Sequence, residues 1–189
     1  MPDIEIIAQI IGVFAMAMNC LSYQQRSKVG ILLFQLIGSA LFAVNFFMLG
    51  AYSGAILNVV AIIRAFVFIK KDFFRAEHPA WTVVFSVTYV LSYVIVFTAL
   101  GKEATPYNFI VEILPVIAMI VTTVGFGFKS AKALRRFGFV SSPLWLCYNV
   151  CSVAVGAIIC EAINIVSLVI ATVRFDLKKK ENEGDKGCE

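Results

Sequence analysis

The chain has 189 residues, 60% of them apolar or aromatic and 15% charged, with a net charge of +4 and a mean hydropathy of +0.89. Soluble domains carry about 25% charged residues, and a soluble chain of this length has too little interior to hide so much apolar surface, so lipid must cover part of it. A disordered chain, a disulfide scaffold and a typical soluble enzyme are excluded, and a single histidine, His78, removes most metal sites and nucleophile–base pairs.

A membrane-spanning helix needs about 20 mostly apolar residues, and seven such runs follow one another. The first covers residues 4–22; Asp3 and Glu5 at its start are acidic and no basic residue precedes it, so it reads as a retained span and not as a secretory signal. The others cover 29–48, 52–69, 81–100, 108–127, 135–153 and 156–173. The breaks are Tyr23 to Lys28, Gly50 to Gly54, Lys70 to Pro79, Gly101 to Pro106, Lys129 to Arg136 and a tight Ala154-Val155-Gly156 junction. Residues 176–189 form a charged tail. The expected fold is all-α, a single membrane domain of seven transmembrane helices in contact with the lipid bilayer.

Orientation follows from the basic residues. With the N-terminus outside, the inner loops and the C-terminal tail hold 14 Lys and Arg, the outer loops hold Lys102 alone, and Arg64 lies within the third span. This is a strong positive-inside asymmetry, with the C-terminus cytoplasmic. The basic residues sit in short tufts between apolar runs, so no nucleic-acid partner is expected. Four of the five cysteines, Cys20, Cys147, Cys151 and Cys160, lie in or at the end of apolar runs and read as small buried residues; no metal and no cofactor are expected.

The two halves match weakly. Lys28 and Lys132 are 104 residues apart, as are Asn45 and Asn149; Gly50 and Gly156 are 106 apart, as are Asn58 and Asn164. The repeat unit is then three helices, residues 4–70 and 108–175, joined by a linker helix at 81–100. One extra helix returns the chain to its starting side, so the two units run parallel in a 3+1+3 plan.

Polar residues inside spans are costly and are therefore functional candidates. Asn58, Asn164, Asn45 and Asn149 are expected to line an outward-facing cavity between the repeats, with Trp145 and Tyr148 offering ring faces to a ligand. Asparagines also bond helices together in lipid, and that reading stands beside the binding one. Glu112 and Glu161, acidic residues set inside their runs, are candidates for an ion or proton site if they share a cavity; otherwise each bonds a neighbouring helix or reaches the outer interface. Arg64 is expected to snorkel to the inner headgroups or to gate the inner end, in preference to pairing with a pathway carboxylate, since both candidates lie toward the other face. Pro115 is the candidate hinge.

The segments Gly54-Ala55-Ile56-Leu57-Asn58, Val111-Glu112-Ile113-Leu114-Pro115-Val116-Ile117 and Asn149 to Glu161 make the chain resemble the bacterial inner-membrane YgjV-like family over about residues 5–175. That family is similar to the SWEET and PQ-loop superfamily of sugar, vitamin and amino-acid carriers. The resemblance implies an inner-membrane location and, by analogy, an asparagine pair at Asn58 and Asn164 that holds substrate. The superfamily's proline-glutamine pair is replaced by Tyr23-Gln24 and Phe128-Lys129, which removes the proline hinge from the first repeat. The expected function is a small-molecule transporter or facilitator, not an enzyme. A receptor, sensor or assembly protein with the same fold is the alternative. The substrate, the coupling ion and the oligomeric state are left open.

Overall fold

In a bilayer the backbone must satisfy its own hydrogen bonds, which only helices and closed barrels do. The computed structural model describes residues 2–49, 52–76, 78–99, 101–151 and 155–177. Within them lie eight α-helices: α1 (Pro2–Tyr23), α2 (Lys28–Met48), α3 (Tyr52–Ile69), the single turn α4 (Lys71–Phe74), α5 (Ala80–Thr98), α6 (Pro106–Gly127), α7 (Ala131–Cys151) and α8 (Val155–Thr172). A π-helical turn, Val173–Leu177, prolongs α8. The expected turn at Gly50, the start of the 154–156 junction and the tail beyond residue 177 lie outside the described residues.

Among the described residues five stretches are long and apolar enough to cross a membrane: Ile6–Tyr23, Lys28–Met48, Ala80–Thr98, Pro106–Gly127 and Ala157–Asp176. In α3 the apolar stretch is the shorter Gly54–Ile69. In α7 the first turns carry Lys132, Arg135 and Arg136. That helix starts four residues before the expected run because Ser130 caps it, its Oγ accepting from Ala133 N at 3.1 Å. Ser27 caps α2 through Gly30 N at 3.0 Å, and Thr105 caps α6 through Asn108 N at 3.1 Å, just before Pro106.

Packing falls into two sets. Helix α2 lies between α1 and α3, and α7 lies between α6 and α8; the sets meet through α1 with α8, α3 with α6 and α2 with α7. Helix α5 leans on α6 and α3 and buries only Phe85 and Tyr89. The lengths recur: α1, α2 and α3 have 22, 21 and 18 residues, and α6, α7 and α8 have 22, 21 and 18. Small residues permit close approach. A Cβ on Gly38 of α2 would lie 2.7 Å from Asn19 Oδ1 and 3.3 Å from the Ala15 carbonyl of α1.

The usual inside-out order of a soluble helix is reversed on α7. Its buried residues include Arg135, Ser141, Ser142 and Asn149, while Val140 and Val150 face outward. Lipid accepts the apolar side chains, so only polar groups need the interior. The apolar core is concentrated toward one end, where Ile31, Phe68, Phe85, Phe126 and Leu134 meet. That end also carries the basic loops and is called the basic end below.

The basic end is tied shut. Arg135 donates through Nε and Nη2 to both oxygens of Asp176, at 2.9 and 2.6 Å, and through Nη1 to the Gln25 carbonyl at 3.2 Å. Lys28 Nζ donates to the Phe126 carbonyl at 2.5 Å. Gln24 Nε2 donates to the carbonyl and hydroxyl of Ser167, at 2.8 and 3.0 Å. The Lys28, Gln24 and Arg135–Gln25 bonds each join one set of helices to the other.

Candidate functional site

Above this closed end lies a cavity of about 220 Å³. Six helices line it: α1 with Asn19, Ser22 and Tyr23; α2 with Gln35, Ser39, Phe42 and Phe46; α3 with Leu57, Asn58, Ala61 and Arg64; α6 with Met119 and Thr122; α7 with Ser141, Ser142, Trp145 and Asn149; α8 with Ala157, Cys160, Glu161 and Asn164. Helix α5 contributes nothing to it. Phe46 and Ala157 sit within a turn of the helix ends opposite the basic loops, so the cavity reaches toward that face. Such a volume admits a small metabolite or about seven waters.

The expected residues divide. Asn58, Asn164, Asn149, Trp145, Arg64 and Glu161 line the cavity together. The Asn58 amide is turned onto its own helix, where Nδ2 donates to the Gly54 carbonyl at 2.9 Å, leaving its oxygen as an acceptor. Asn164 Oδ1 accepts from the Cys20 thiol at 3.1 Å. Asn149 Nδ2 donates to the Ala157 carbonyl at 3.4 Å. Asn58 lies six residues past the start of α3, and Glu161 lies six past the start of α8, so these two sit at about the same depth, roughly 9 Å from the helix starts. Asn164 is one turn deeper.

Asn45, Tyr148, Glu112 and Pro115 stand outside this lining. Asn45 Nδ2 donates to the Ala8 carbonyl at 2.6 Å and bonds α2 to α1. Tyr148 packs edge to face on Trp145 at 5.9 Å between ring centroids. Glu112 pairs with Lys102 of the preceding loop and, with Pro115, lines a separate cavity of about 40 Å³ against α5. The two glutamates therefore do not share a cavity.

Arg64 departs from the snorkelling expectation. It is 5% exposed and turns inward: Nη1 donates to the Met119 carbonyl at 3.3 Å and to Thr123 Oγ1 at 3.1 Å, and the guanidinium lies 4.5 Å from the Phe126 ring centroid. Its Nε is buried with no hydrogen-bond partner. The physical reason is that α3 packs this face against α6, so interior acceptors lie nearer than the headgroups. Glu161 shares the cavity wall with Ser142, Asn164 and Tyr23.

Several lining residues escaped the reading of single spans: Ser22, Ser39, Thr122, Ser141 and Ser142 are short polar residues of low cost, and only on α7, where the lining positions 141, 142, 145 and 149 follow helical spacing, do they form a legible face. A second internal proline, Pro143, follows Ser142 on α7 and removes a backbone bond beside the cavity. Among the described residues no group of three His, Cys, Asp or Glu is arranged to hold a metal ion.

Comparison with curated proteins and with solved structures gives no match. A family model described as bacterial inner membrane protein, Imp-YgjV, matches residues 6–179. With its apolar helices turned to lipid and its polar groups turned inward, the chain belongs to the Imp-YgjV family and is an integral, multi-pass protein of the bacterial inner membrane.

Proposed function

We propose that this protein is a carrier or facilitator, and not an enzyme, that holds a small sugar-, vitamin- or amino-acid-like molecule between two three-helix units. The units are α1–α3 and α6–α8, joined by α5. In this reading seven helices cross the bilayer, the basic end faces the cytoplasm and the N-terminus lies outside. One observation carries it: all six helices of the two units give polar side chains to one cavity, and α5 gives none. The recurring helix lengths support the repeat, as does the likeness to SWEET-type carriers. Helix α3 rises about 27 Å, close to the hydrocarbon thickness, and the basic first turns of α7 suit the inner headgroups.

Parallel units can rock about a fixed site to expose it to one side and then the other. The bonds from Lys28, Gln24 and Arg135 that join the units at the basic end would have to part for release to the cytoplasm. Asn58, Asn164 and Asn149 are the uncharged reading groups, and Trp145 supplies a ring. The test is uptake by proteoliposomes holding the purified chain, offered labelled D-glucose, a labelled L-amino-acid mixture and labelled thiamine. Saturable uptake of one class, abolished by Ala61→Trp filling the cavity, is the expected result. No uptake of any class, with a second protein copurifying, would favour the receptor or assembly reading.

A further inference from the structure

We propose that the cavity binds an amino-acid-like zwitterion, with its carboxylate on Arg64 and its ammonium group near Glu161. This deepens the carrier reading and rests on it for the direction of transport, though not for binding. The two side chains line the same cavity from the third helix of each unit, yet they form no ion pair with each other. Arg64 has no carboxylate partner among the described residues; its hydrogen bonds run through Nη1, and Nε has none. A buried guanidinium without a counter-charge is expensive, and its planar fork of donors matches a carboxylate.

Glu161 presents the complementary case. Ser142 and Asn164 line the cavity with it, but among the described residues no cation pairs with it, whereas Glu112 is paired by Lys102. A neutral sugar would leave both charges uncompensated. A simple anion would leave Glu161 alone, and a simple cation would leave Arg64 alone. A molecule that carries both charges satisfies both. The remaining polar lining is uncharged, from Gln35, Ser39, Asn58 and Thr122, and Phe42 and Leu57 supply apolar wall, so a neutral side chain of modest size fits the volume of about 220 Å³.

The test uses the purified full chain in detergent and the standard L-amino acids one at a time, read by melting temperature and calorimetry. At least one is expected to bind. Its amide, which lacks the carboxylate, and its N-acetyl derivative, which lacks the ammonium group, should each bind about 30-fold more weakly, equivalent to about 2 kcal/mol. In R64Q the amino acid and its amide should bind alike; in E161Q the amino acid and its N-acetyl derivative should bind alike. The derivative series on the unaltered chain stands even if a variant fails to fold. Binding of either derivative as tightly as the parent overturns the proposal, as does binding of D-glucose or inorganic phosphate with no amino acid bound. An amino acid that binds in detergent but is not taken up by proteoliposomes would leave this site standing and overturn the carrier reading.

Discussion

Arg64 and Arg135 are both buried inside the helices, at 5% and 3% exposure, and their surroundings differ in kind. Arg135 is answered within the chain: two bonds to Asp176, one to the Gln25 carbonyl, and the Phe175 ring 5.5 Å away. Among the described residues Arg64 meets a carbonyl, a hydroxyl and a ring, but no carboxylate, and keeps a buried nitrogen without a partner. The glutamates repeat the contrast, Glu112 paired by Lys102 and Glu161 without a cation partner among the described residues. A charge neutralised by the chain serves to hold helices in place. A charge left over is available to something the chain does not supply.

The contrast predicts an order of stabilities, measurable by thermal or chemical unfolding in detergent. Arg135→Met should be the most damaging, costing about 3–5 kcal/mol, because it strands Asp176 in the interior. The double variant Arg135→Met, Asp176→Leu should recover much of that loss; no recovery would mean that packing, and not the pair, closes this end. Gly38→Ala should cost about 1–3 kcal/mol by pushing α1 off α2 at the contact with Asn19 and Ala15. Asn45→Ala should cost about 1 kcal/mol through the lost bond to Ala8, without changing ligand binding. Arg64→Met should change stability by about 1 kcal/mol or less, since an uncompensated charge leaves with the side chain, while amino-acid binding weakens about 30-fold. An Arg64 loss as large as that of Arg135 would break the distinction. Lys102→Gln should have the smallest effect, a few tenths of a kcal/mol, because that partner is more than a third exposed.

Much of the scaffold was legible in the amino-acid order. The bilayer demands unbroken apolar stretches of a set length and helical backbone throughout them; the seven runs are seven long helices with ends shifted by at most four residues, and five of them hold stretches long and apolar enough to cross. Capping serines and Pro106 mark the starts, and the apolar bias marks what faces lipid. Six of the proposed site residues do share one cavity, because polar groups in lipid have nowhere else to go than inward.

Which inward neighbour each polar group meets was decided by the tertiary structure alone. Asparagines 45 and 58 look alike in sequence, yet one bonds α1 to α2 and the other lines the cavity. Arg135 reads as a topology signal in a loop, but its partner Asp176 lies 41 residues away, beyond α8. Arg64 reads as a snorkelling cation until α6 is packed against it. Composition and periodicity are local properties that one helix and the surrounding lipid can enforce. The rotation of each helix about its axis, and so the pairing or orphaning of every buried charge, exists only once several helices have packed together.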